Sequence, residues 1–419
     1  MREIIPLHPT HALVSVPGSK SYTHRVFIAA ALADGACVIE NALDSEDTRL
    51  TLAALKGWGI AIEPHGDQLV VVGRKGAFDP CRSPIFLGNS GTSMRLLTAM
   101  AALAPGKSIL TGTDRLQARP IQDLLDGLVQ LGVAARSLGG NGCPPVEITG
   151  GGCTGGRVAL NCSLSSQFLS ALLLAGPCMR DGIEIRVTQG PVSRPYIDIT
   201  IDTMERFGVP VERSGYAWFR VPGGRCYGPG SYTVEPDCSQ AGYFWAAAAV
   251  SASTVQVRGT SRRSCQGDIR LLDILERMGC RVAEHADGVA VSGGPLSAVE
   301  VDMADIPDVV PTLAVAAAYA HGRTVIRNVA HLREKESDRL ATVSAGLARM
   351  GVRSGCDADT LWVDGGQPHG AAIDCCNDHR IAMSFAVAGL KTPGMAILDE
   401  SCVQKSFPGF WEVFETLYP

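Results

Sequence analysis

Six of nine residues are charged in the stretch His331-Leu332-Arg333-Glu334-Lys335-Glu336-Ser337-Asp338-Arg339, although only 19% of the chain is charged overall. The nearly all-apolar run Pro311–Tyr319 precedes it. After it, apolar residues recur at the spacing of one helix face, at Leu340, Val343, Leu347 and Met350. Ser337 and Asp338 are typical of a helix N-cap and first turn. The stretch therefore predicts a polar loop that links a buried segment to an amphipathic helix.

The residues of this loop also indicate a ligand. Helix N-termini attract anions through their free N–H groups and the helix dipole. Lys335 and Arg339 at such a position favour a phosphate or carboxylate ligand, and Glu336 beside them favours an acid or base. A solvated, salt-bridged helix start is the structural alternative, and it is common for charge clusters in general.

Length and composition bound the class of protein. The chain has 419 residues, more than one hydrophobic core usually holds, so two domains are expected. It is 46% hydrophobic and carries a net charge of −5. No overall basic field points to nucleic acid or a membrane surface, so any anion site must come from local cation clusters.

The cysteines and the N-terminal residues predict a soluble cytoplasmic protein. None of the 14 cysteines forms a C-x-x-C pair, and their scatter over a long chain favours reduced thiols. The first residues, Met1–Pro6, lack the apolar core of a signal peptide. The apolar run Ala241–Val250 is too short to span a bilayer.

A glycine motif recurs at intervals of 71 to 76 residues. In each copy an amphipathic segment ends in a bulky residue, then glycine, then an apolar residue that we expect to begin a strand. Glycine in this place is typical of the left-handed residue that ends a helix. The copies are Trp58-Gly59-Ile60, Leu131-Gly132-Val133, Phe207-Gly208-Val209, Met278-Gly279-Cys280 and Met350-Gly351-Val352.

Six polar loops alternate with these motifs, and each leads into an Ala- and Leu-rich helix that must be buried on most sides. The loops begin near Gly18, Gly88, Ser163, Pro236, Ile306 and Asn377. Six units of about 70 residues divide into three plus three. We expect a discontinuous domain of residues 1–16 and 236–419, a domain of residues 17–235, and an active site in the cleft between them.

Several of the six loops carry ionic or hydroxyl groups at helix starts, which predicts one cationic site where they converge. Each has a simpler interpretation. Gly18-Ser19-Lys20-Ser21 lacks full P-loop spacing, Ser165 and Ser166 could be plain caps, and Asp308 could cap its own helix. Structural ion pairs are the alternative for three arginines, Arg25, Arg95 and Arg380.

The chain resembles the 5-enolpyruvylshikimate-3-phosphate synthase family of enolpyruvyl transferases. The resemblance spans nearly the whole chain in order and rests on Pro17–Arg25, Leu87–Arg95, Arg119-Pro120-Ile121, Ser165–Phe168, Ser193–Asp198, Ile306-Pro307-Asp308, Leu332–Leu340, Asn377–Met383 and Lys405-Ser406-Phe407-Pro408. It implies an α/β fold of two similar domains, each of three βαβαββ units with inward helices and outer sheets, an inside-out α/β barrel.

The resemblance also implies a reaction. The family joins phosphoenolpyruvate to the 5-hydroxyl of shikimate 3-phosphate and releases phosphate through a tetrahedral intermediate, without metal or organic cofactor. This chemistry needs an acid, a base and fixed cations. The expected partners are these two small molecules, with no nucleic acid and no membrane, and the family suggests a monomer. Glyphosate is the family's bulkier phosphoenolpyruvate mimic.

Site residues carried over from the family fall into three groups. The implied catalytic residues are Asp308 as base, Glu336 as acid, and Lys20. The implied contacts of shikimate 3-phosphate are Lys20, Ser21, Arg25, Ser165, Ser166, Gln167, Ser193, Tyr196, Asp308, His331 and Lys335. The implied contacts of phosphoenolpyruvate are Lys20, Asn89, Gly91, Arg119, Gln167, Arg339, Arg380 and Lys405. His331 departs from the family, whose members often have Asn there.

Three other functions compete with this one. The sister enzymes that transfer enolpyruvyl to a UDP-amino sugar carry a cysteine about six residues before the arginine that matches Arg119, and the loop Gly112–Ala118 has none. A nucleic-acid-binding protein of related units is disfavoured by the net charge of −5. A catalytically dead repeat scaffold is disfavoured by the intact set of ionic loops.

Overall fold

The computed structural model describes residues 1–418 and contains short strands throughout. These are β1 (Arg2–Ile4), β2 (His11–Val14), β3 (Ala36–Glu40), β4 (Ala61–His65), β5 (Gln68–Val72), β6 (Ile85–Phe86), β7 (Gly106–Thr111), β8 (Ala134–Ser137), β9 (Val146–Gly150), β10 (Gly156–Asn161), β11 (Ile183–Gln189), β12 (Glu212–Ser214), β13 (Trp218–Val221), β14 (Gly230–Thr233), β15 (Thr254–Arg258), β16 (Arg281–His285), β17 (Gly288–Ser292), β18 (Glu300–Asp302), β19 (Arg323–Arg327), β20 (Ser354–Cys356), β21 (Leu361–Asp364), β22 (Ala372–Ile373) and β23 (Met395–Ile397).

Helices alternate with these strands. They are α1 (Lys20–Ala31), α2 (Glu46–Gly57), α3 (Gly91–Ala101), α4 (Asp114–Gln117), α5 (Gln122–Gln130), α6 (Gln167–Ala175), α7 (Pro195–Arg206), α8 (Cys238–Ser251), α9 (Leu271–Arg277), α10 (Val310–Ala317), α11 (Arg339–Arg349), α12 (His379–Gly389) and α13 (Phe410–Glu415). Short 3-10 segments cover Gly176–Cys178, Gly267–Arg270, Pro307–Val309, Ala330–Glu334 and Glu400–Lys405. No helix within residues 1–418 has the length and apolarity needed to cross a membrane.

The chain folds into two compact units. Unit 1 comprises Met1–Pro17 and the described chain from Glu235 onwards, and unit 2 comprises Gly18–Val234. Unit 2 contains the sheets β14-β3-β5-β4, β6-β7-β9-β8 and β10-β11-β13-β12, and unit 1 contains β16-β17-β15-β2, β18-β19-β21-β20 and β1-β23-β22. The predicted α/β class is confirmed, and the described strands form separate sheets rather than a closed barrel.

The sheets repeat one pairing pattern, as the six-fold repeat predicts. In every four-stranded sheet one parallel pair is followed by antiparallel pairs; β6 and β7 are parallel, for example, whereas β7 pairs antiparallel with β9 and β9 with β8. In the sixth sheet β22 and β23 are parallel and β1, from the opposite end of the chain, supplies the antiparallel neighbour. The N-terminal strand therefore completes the last unit.

The buried helices are the Ala- and Leu-rich ones expected from the sequence. All residues of α8, α10 and α12 are buried in unit 1, and those of α6 are buried after its first residue in unit 2. The second helix of a repeat is amphipathic; α5, for example, buries only Leu124, Leu125, Gly127 and Leu128. Each apolar helix thus lies within the core of its unit, and its N-terminus carries the polar loop.

The five recurring glycines end helices in the left-handed conformation, as predicted. Their φ angles are +82°, +80°, +80°, +110° and +73° for Gly59, Gly132, Gly208, Gly279 and Gly351. The sequence interpretation placed the start of a strand at the next residue. The structure instead starts each strand two to four residues after the glycine, because the chain must first turn away from the helix end.

A substitution at Gly132 tests the conformational role of these glycines without changing the packing. A Cβ added there has no atom within 4 Å, so only the φ of +80° opposes a side chain. We expect Gly132→Ala to lower the free energy of unfolding by about 1 kcal/mol or slightly more, because alanine is strained in the left-handed region. Gly132→Asn should cost less, since asparagine tolerates that region. Urea denaturation measures both, and equal costs would contradict the explanation.

Candidate functional site

Three carboxylates surround the guanidinium of Arg339, which is 1% exposed at the first residue of α11. Its Nε donates to Asp378 Oδ2 at 2.9 Å, Nη1 to Asp308 Oδ1 at 3.0 Å and Nη2 to Glu336 Oε2 at 2.8 Å. Burial alone would lower the pKa of Arg339, but Asp378, Glu336 and Asp308 outweigh burial and raise that pKa above its ordinary value. Arg339 is therefore a permanent buried cation.

The start of α11 is built as the sequence predicts. Asp338 is the N-cap, and its Oδ1 accepts the N–H of Ala341 at 3.1 Å. Ser337 lies one residue earlier and donates from Oγ to Asp378 Oδ2 at 3.0 Å. Glu336 thus reaches Arg339 from the loop that joins the 3-10 segment Ala330–Glu334 to the helix.

Arg380, in the first turn of α12, shares Asp308 with Arg339. Its Nη2 donates to Asp308 Oδ2 at 2.6 Å and to Ser239 Oγ at 3.1 Å, and Nη1 donates to the Tyr243 hydroxyl at 3.3 Å. Asp308 sits in the 3-10 segment that precedes α10. One carboxylate therefore bridges two arginines that come from different helix N-termini.

Asp378 is a site residue to which the sequence analysis assigned no role. It is the N-cap of α12, where Oδ1 accepts the N–H of Arg380 at 3.0 Å, and it is also ion-paired to Arg339. The recurrence of a loop followed by arginine at Asn377–Arg380 was the available signal. An aspartate there looks like an ordinary cap until its second partner is known.

Charges of both signs meet in this part of unit 1. Two arginines, Arg339 and Arg380, are bonded to three carboxylates, those of Asp308, Glu336 and Asp378. Desolvated arginines need such partners, since an unpaired buried charge costs several kcal/mol.

His331 is buried beside this cluster. Burial lowers the pKa of His331 to about 3, the charges of Lys335 and Arg339 act in the same direction, and that of Asp308 opposes them. Its Nε2 has no hydrogen-bond partner among residues 1–418. His331 is consequently a neutral imidazole at physiological pH.

Lys405 ends the 3-10 segment Glu400–Lys405 and is 5% exposed. The next residue, Ser406, accepts a hydrogen bond at its carbonyl oxygen from Gln240 Nε2 at 2.6 Å. Gln240 belongs to α8, whose N-cap Asp237 accepts the N–H groups of Ser239 and Gln240. The buried helix α8 thereby fixes the segment that carries Lys405.

In unit 2, Lys20 is the first residue of α1 and lies 3.4 Å, Nζ to Oδ2, from Asp47 in the first turn of α2. Both side chains are buried. Ser19 is the N-cap of α1 and accepts the N–H of Tyr22. Asp47, which the sequence analysis did not single out, holds the ammonium group at this helix start.

Arg25 is buried between α1 and α7. Its Nε donates to Thr200 Oγ1 at 2.7 Å, and its terminal nitrogens donate to the carbonyl oxygens of Ser21 and Tyr196 at 2.7 and 3.0 Å and to Ser170 Oγ at 3.4 Å. Burial lowers the pKa of Arg25 to about 10, partly opposed by Tyr196 and Tyr22. The group remains charged at neutral pH and ties the segment at Tyr196 to α1.

Gly91, the first residue of α3, lies against the guanidinium of Arg119. A Cβ at Gly91 would come within 2.6 Å of Arg119 Cζ. Arg119 also approaches the carbonyl oxygen of Asn89, at 3.5 Å from Nη1. The backbone of the loop before α3 therefore lies next to the guanidinium of one buried arginine.

Gln167, the first residue of α6, joins the loops of two repeats. Its Oε1 accepts from Arg95 Nη1 at 3.0 Å, and its Nε2 donates to Thr92 Oγ1 at 3.0 Å. Its N–H donates to Ser165 Oγ at 3.2 Å, and Ser166 is the residue before the helix. The hydroxyl-rich loop predicted to bind an anion is thus held against α3.

Ser193 adopts a φ of +54°, which is rare for a non-glycine residue. It lies two residues before α7, and its carbonyl oxygen accepts the N–H of Tyr196 at 3.2 Å. Cation and hydroxyl groups therefore collect at the N-termini of α1, α3, α6 and α7 within unit 2. No group of three or more His, Cys, Asp or Glu residues suited to a metal ion occurs in the described chain.

The sequence and structure match one known family. The family model for EPSP synthase (3-phosphoshikimate 1-carboxyvinyltransferase) matches residues 6–414. A protein of Methanoculleus marisnigri named 3-phosphoshikimate 1-carboxyvinyltransferase is 44% identical over 407 residues, covering 96% of both chains. One of the same name from Syntrophobacter fumaroxidans is 43% identical over 421 residues and covers 100% of both.

Solved structures give the same result for the fold. An EPSP synthase from Acinetobacter baumannii superimposes with a TM-score of 0.83 at 30% identity, covering 99% of this chain and 98% of the other. The enolpyruvyl transferase NikO from Streptomyces tendae has a TM-score of 0.77 at 22% identity, covering 99% and 96% of the two chains. The second likeness bears on the fold alone.

The neutral state of His331 predicts a pH dependence of stability. Because its pKa falls from 6.5 to about 3 on folding, the unfolded chain binds the proton more readily between these values. Its contribution is present above pH 6.5 and is lost as the pH falls towards 3. We expect His331→Asn to flatten the decline in the free energy of unfolding between pH 6.5 and 4.

The measurement is urea denaturation at several pH values. The matched control is His8→Asn, because His8 is exposed. The two variants should differ only in the acid range. An unchanged slope for His331→Asn would contradict the lowered pKa.

Proposed function

The chain belongs to the EPSP synthase family, and from that membership we propose how its own residues carry out the family reaction. The enzyme transfers the enolpyruvyl group of phosphoenolpyruvate to the 5-hydroxyl of shikimate 3-phosphate and releases phosphate, in the shikimate pathway to aromatic amino acids. The observation that carries the site assignment is the carboxylate of Asp308, shared by Arg339 and Arg380.

Phosphoenolpyruvate brings a phosphate and a carboxylate to the site. We assign Arg339, Arg380 and Lys405 of unit 1 to these anions, together with Lys20, Asn89, Gly91, Arg119 and Gln167 of unit 2. Arginine is suited to both groups because its planar fork binds them through two parallel hydrogen bonds. Gly91 allows the ligand to approach the backbone at a helix N-terminus, where N–H groups favour an anion.

Binding of this anion explains how Asp308 becomes a base. Both oxygens of Asp308 accept hydrogen bonds from arginines. When those guanidinium groups turn to the substrate anion, lone pairs of Asp308 are released for a new proton. Asp308 then takes the proton of the 5-hydroxyl as its oxygen attacks C2 of phosphoenolpyruvate.

Glu336 is the proposed acid. It protonates the methylene carbon C3, which leaves C2 electron-poor and open to attack by the hydroxyl oxygen. The tetrahedral adduct next loses a proton from C3 and expels phosphate, which restores the double bond and the protonated acid. Lys20 is proposed to stabilise the charge on the phosphate as the C–O bond breaks.

Shikimate 3-phosphate is assigned to the hydroxyl-rich loops of unit 2 and to three residues of unit 1. The four hydrogen bonds of Arg25 use four of its five N–H donors, which leaves one for a phosphate oxygen. The remaining assigned contacts are Lys20, Ser21, Ser165, Ser166, Gln167, Ser193, Tyr196, Asp308, His331 and Lys335. Neutral His331 can offer a hydrogen bond without adding charge.

A phosphate-release assay tests the acceptor. Purified enzyme is given phosphoenolpyruvate with shikimate 3-phosphate, or with a UDP-amino sugar in a parallel reaction. Release is expected only with shikimate 3-phosphate. Release only with the UDP-amino sugar would assign the chain to the sister activity.

The assigned acid and base predict a large loss of turnover without unfolding. Asp308→Asn and Glu336→Gln should each lower kcat by about 10²-fold or more, as expected for general acid–base groups. The control is Asp305→Asn, because Asp305 pairs with Arg270 outside the cluster. Steady-state kinetics with circular dichroism measures activity and folding together, and near-normal kcat in both variants would refute the roles.

Gly91→Ala should separate phosphoenolpyruvate from its bulkier mimic. The new methyl group would meet the Arg119 guanidinium at 2.6 Å and push it aside. We expect the KM for phosphoenolpyruvate to rise. The inhibition constant of glyphosate should rise about tenfold more than that KM, which corresponds to about 1.4 kcal/mol of additional lost contact.

The control for this variant is Gly57→Ala at the end of α2, where no atom lies within 4 Å of the added Cβ. It should change neither constant. Inhibition and substrate kinetics on the same preparations provide the comparison. Equal losses for both ligands in Gly91→Ala would count against a site at this glycine.

A further inference from the structure

Three fully buried side chains of unit 2, which the proposed mechanism does not use, form a hydrogen-bond network between helices. His24 Nδ1 lies 2.8 Å from Thr51 Oγ1, and Thr51 Oγ1 lies 2.8 Å from Ser93 Oγ. The Ser93 hydroxyl donates to the backbone carbonyl oxygen of Asp47 at 3.2 Å. Because His24 belongs to α1, Thr51 and Asp47 to α2 and Ser93 to α3, the network joins these three helices.

The directions of the hydrogen bonds follow from the last acceptor of the network. A carbonyl oxygen can only accept, so the single hydrogen of the Ser93 hydroxyl is directed to Asp47. Ser93 Oγ then accepts from Thr51, and we assign His24 Nδ1–H as the donor to Thr51. Ser90, the N-cap of α3, accepts the N–H of Ser93 at 3.3 Å and lies 2.8 Å from its hydroxyl. Thr51 is thus both the acceptor of His24 and the donor to Ser93.

The network lies one helical turn behind the contact between Lys20 and Asp47. His24 follows Lys20 by four residues in α1, and Thr51 follows Asp47 by four residues in α2. Residues four apart share one face of a helix. The contact of Lys20 Nζ with Asp47 Oδ2 at 3.4 Å and the contact of the pair behind it therefore occur on successive turns of the same two helices.

We propose that Thr51 is a positioning residue for phosphoenolpyruvate, because the network holds the starts of α1, α2 and α3 at fixed distances from one another. Ser93 lies two residues after Gly91, and its bond to the carbonyl oxygen of Asp47 fixes the start of α3 against that of α2. Thr51 acts through these helix starts and not by contact with the substrate. The inference rests on the proposed function, which assigns Lys20 and Gly91 to phosphoenolpyruvate.

Thr51→Val tests the role, because valine has nearly the same shape and lacks the hydroxyl. His24 and Ser93 then lose a buried partner and must find others, which shifts the helix starts. Since displacement of a binding group by about 1 Å can cost about 10²-fold, we expect the KM for phosphoenolpyruvate to rise by about tenfold. Steady-state kinetics of phosphate release, with each substrate varied in turn, measures the change.

The KM for shikimate 3-phosphate should rise much less in the same variant. Arg25, assigned to that substrate, ties α1 to Ser170 of α6 and to Tyr196 and Thr200 of α7 through hydrogen bonds that do not involve the network. A selective effect on phosphoenolpyruvate therefore distinguishes positioning from a general loosening of unit 2. Equal rises for the two substrates would overturn the proposal.

Two further variants separate positioning from stability. Thr51→Ser keeps the hydroxyl and should restore both KM values towards those of the wild type. The matched control is Thr98→Val, because Thr98 is fully buried in α3 and its hydroxyl donates to Met94 O of the same helix at 2.7 Å. This control should lower the urea midpoint without changing either KM. The same outcome for Thr51→Val would show that Thr51 is merely structural.

Ser93→Ala provides a second test if circular dichroism shows that Thr51→Val does not fold. It removes the donor to the carbonyl oxygen of Asp47 and should produce the same selective rise in the KM for phosphoenolpyruvate. Unchanged KM values in this variant would overturn the proposal. A wild-type enzyme that releases no phosphate would instead refute the proposed function, and with it this role for Thr51.

Discussion

Burying Arg339 is the constraint on which the centre of unit 1 depends. A guanidinium removed from water is tolerated only where carboxylates surround it, and here Asp308, Glu336 and Asp378 come from three separate loops. All three loops must therefore bring a carboxylate to the guanidinium of Arg339, and the helix that follows each loop holds it in that position. The ion pairs thus align the N-termini of α10, α11 and α12, and the apolar bodies of these helices form the core behind them.

The same ion pairs bear on the proposed binding of an anionic substrate. Arg339 and Arg380 are not bare cations, because they are already paired with carboxylates. In the proposed mechanism a substrate exchanges one set of partners for another, and the exchange leaves carboxylates with lone pairs that were previously engaged. The side chains that stabilise the buried Arg339 are therefore also those to which we assign the acid and base roles. Under that proposal the exchange of ion pairs would be selective, since a ligand with fewer negative charges would leave a buried guanidinium without enough partners.

Much of this could be predicted from the sequence, because it depends on local rules. Glycine after a helix, an aspartate before one and Ala-rich buried helices are each specified within a few residues, and their regular spacing revealed the repeat. The features that the sequence did not predict depend on partners that are far apart along the chain. Asp378 looked like a cap because its second partner, Arg339, lies 39 positions away. Two of the acceptors of Arg25 lie in α7, 171 and 175 positions along the chain.

Because of strand β1, the two units can complete their sheets at different times during synthesis. Unit 2 is one continuous segment, Gly18–Val234, and can complete its three sheets as soon as that segment has left the ribosome. Unit 1 cannot, since β1 pairs with β23 near the other end of the chain. At roughly 5–20 residues per second, the first strand waits from tens of seconds to more than a minute for its partner. During that time the edge of β1 that will pair with β23 has no hydrogen-bond partners from that strand. The folded unit 2 then lies, in sequence, between β1 and the part of the chain that will complete its sheet.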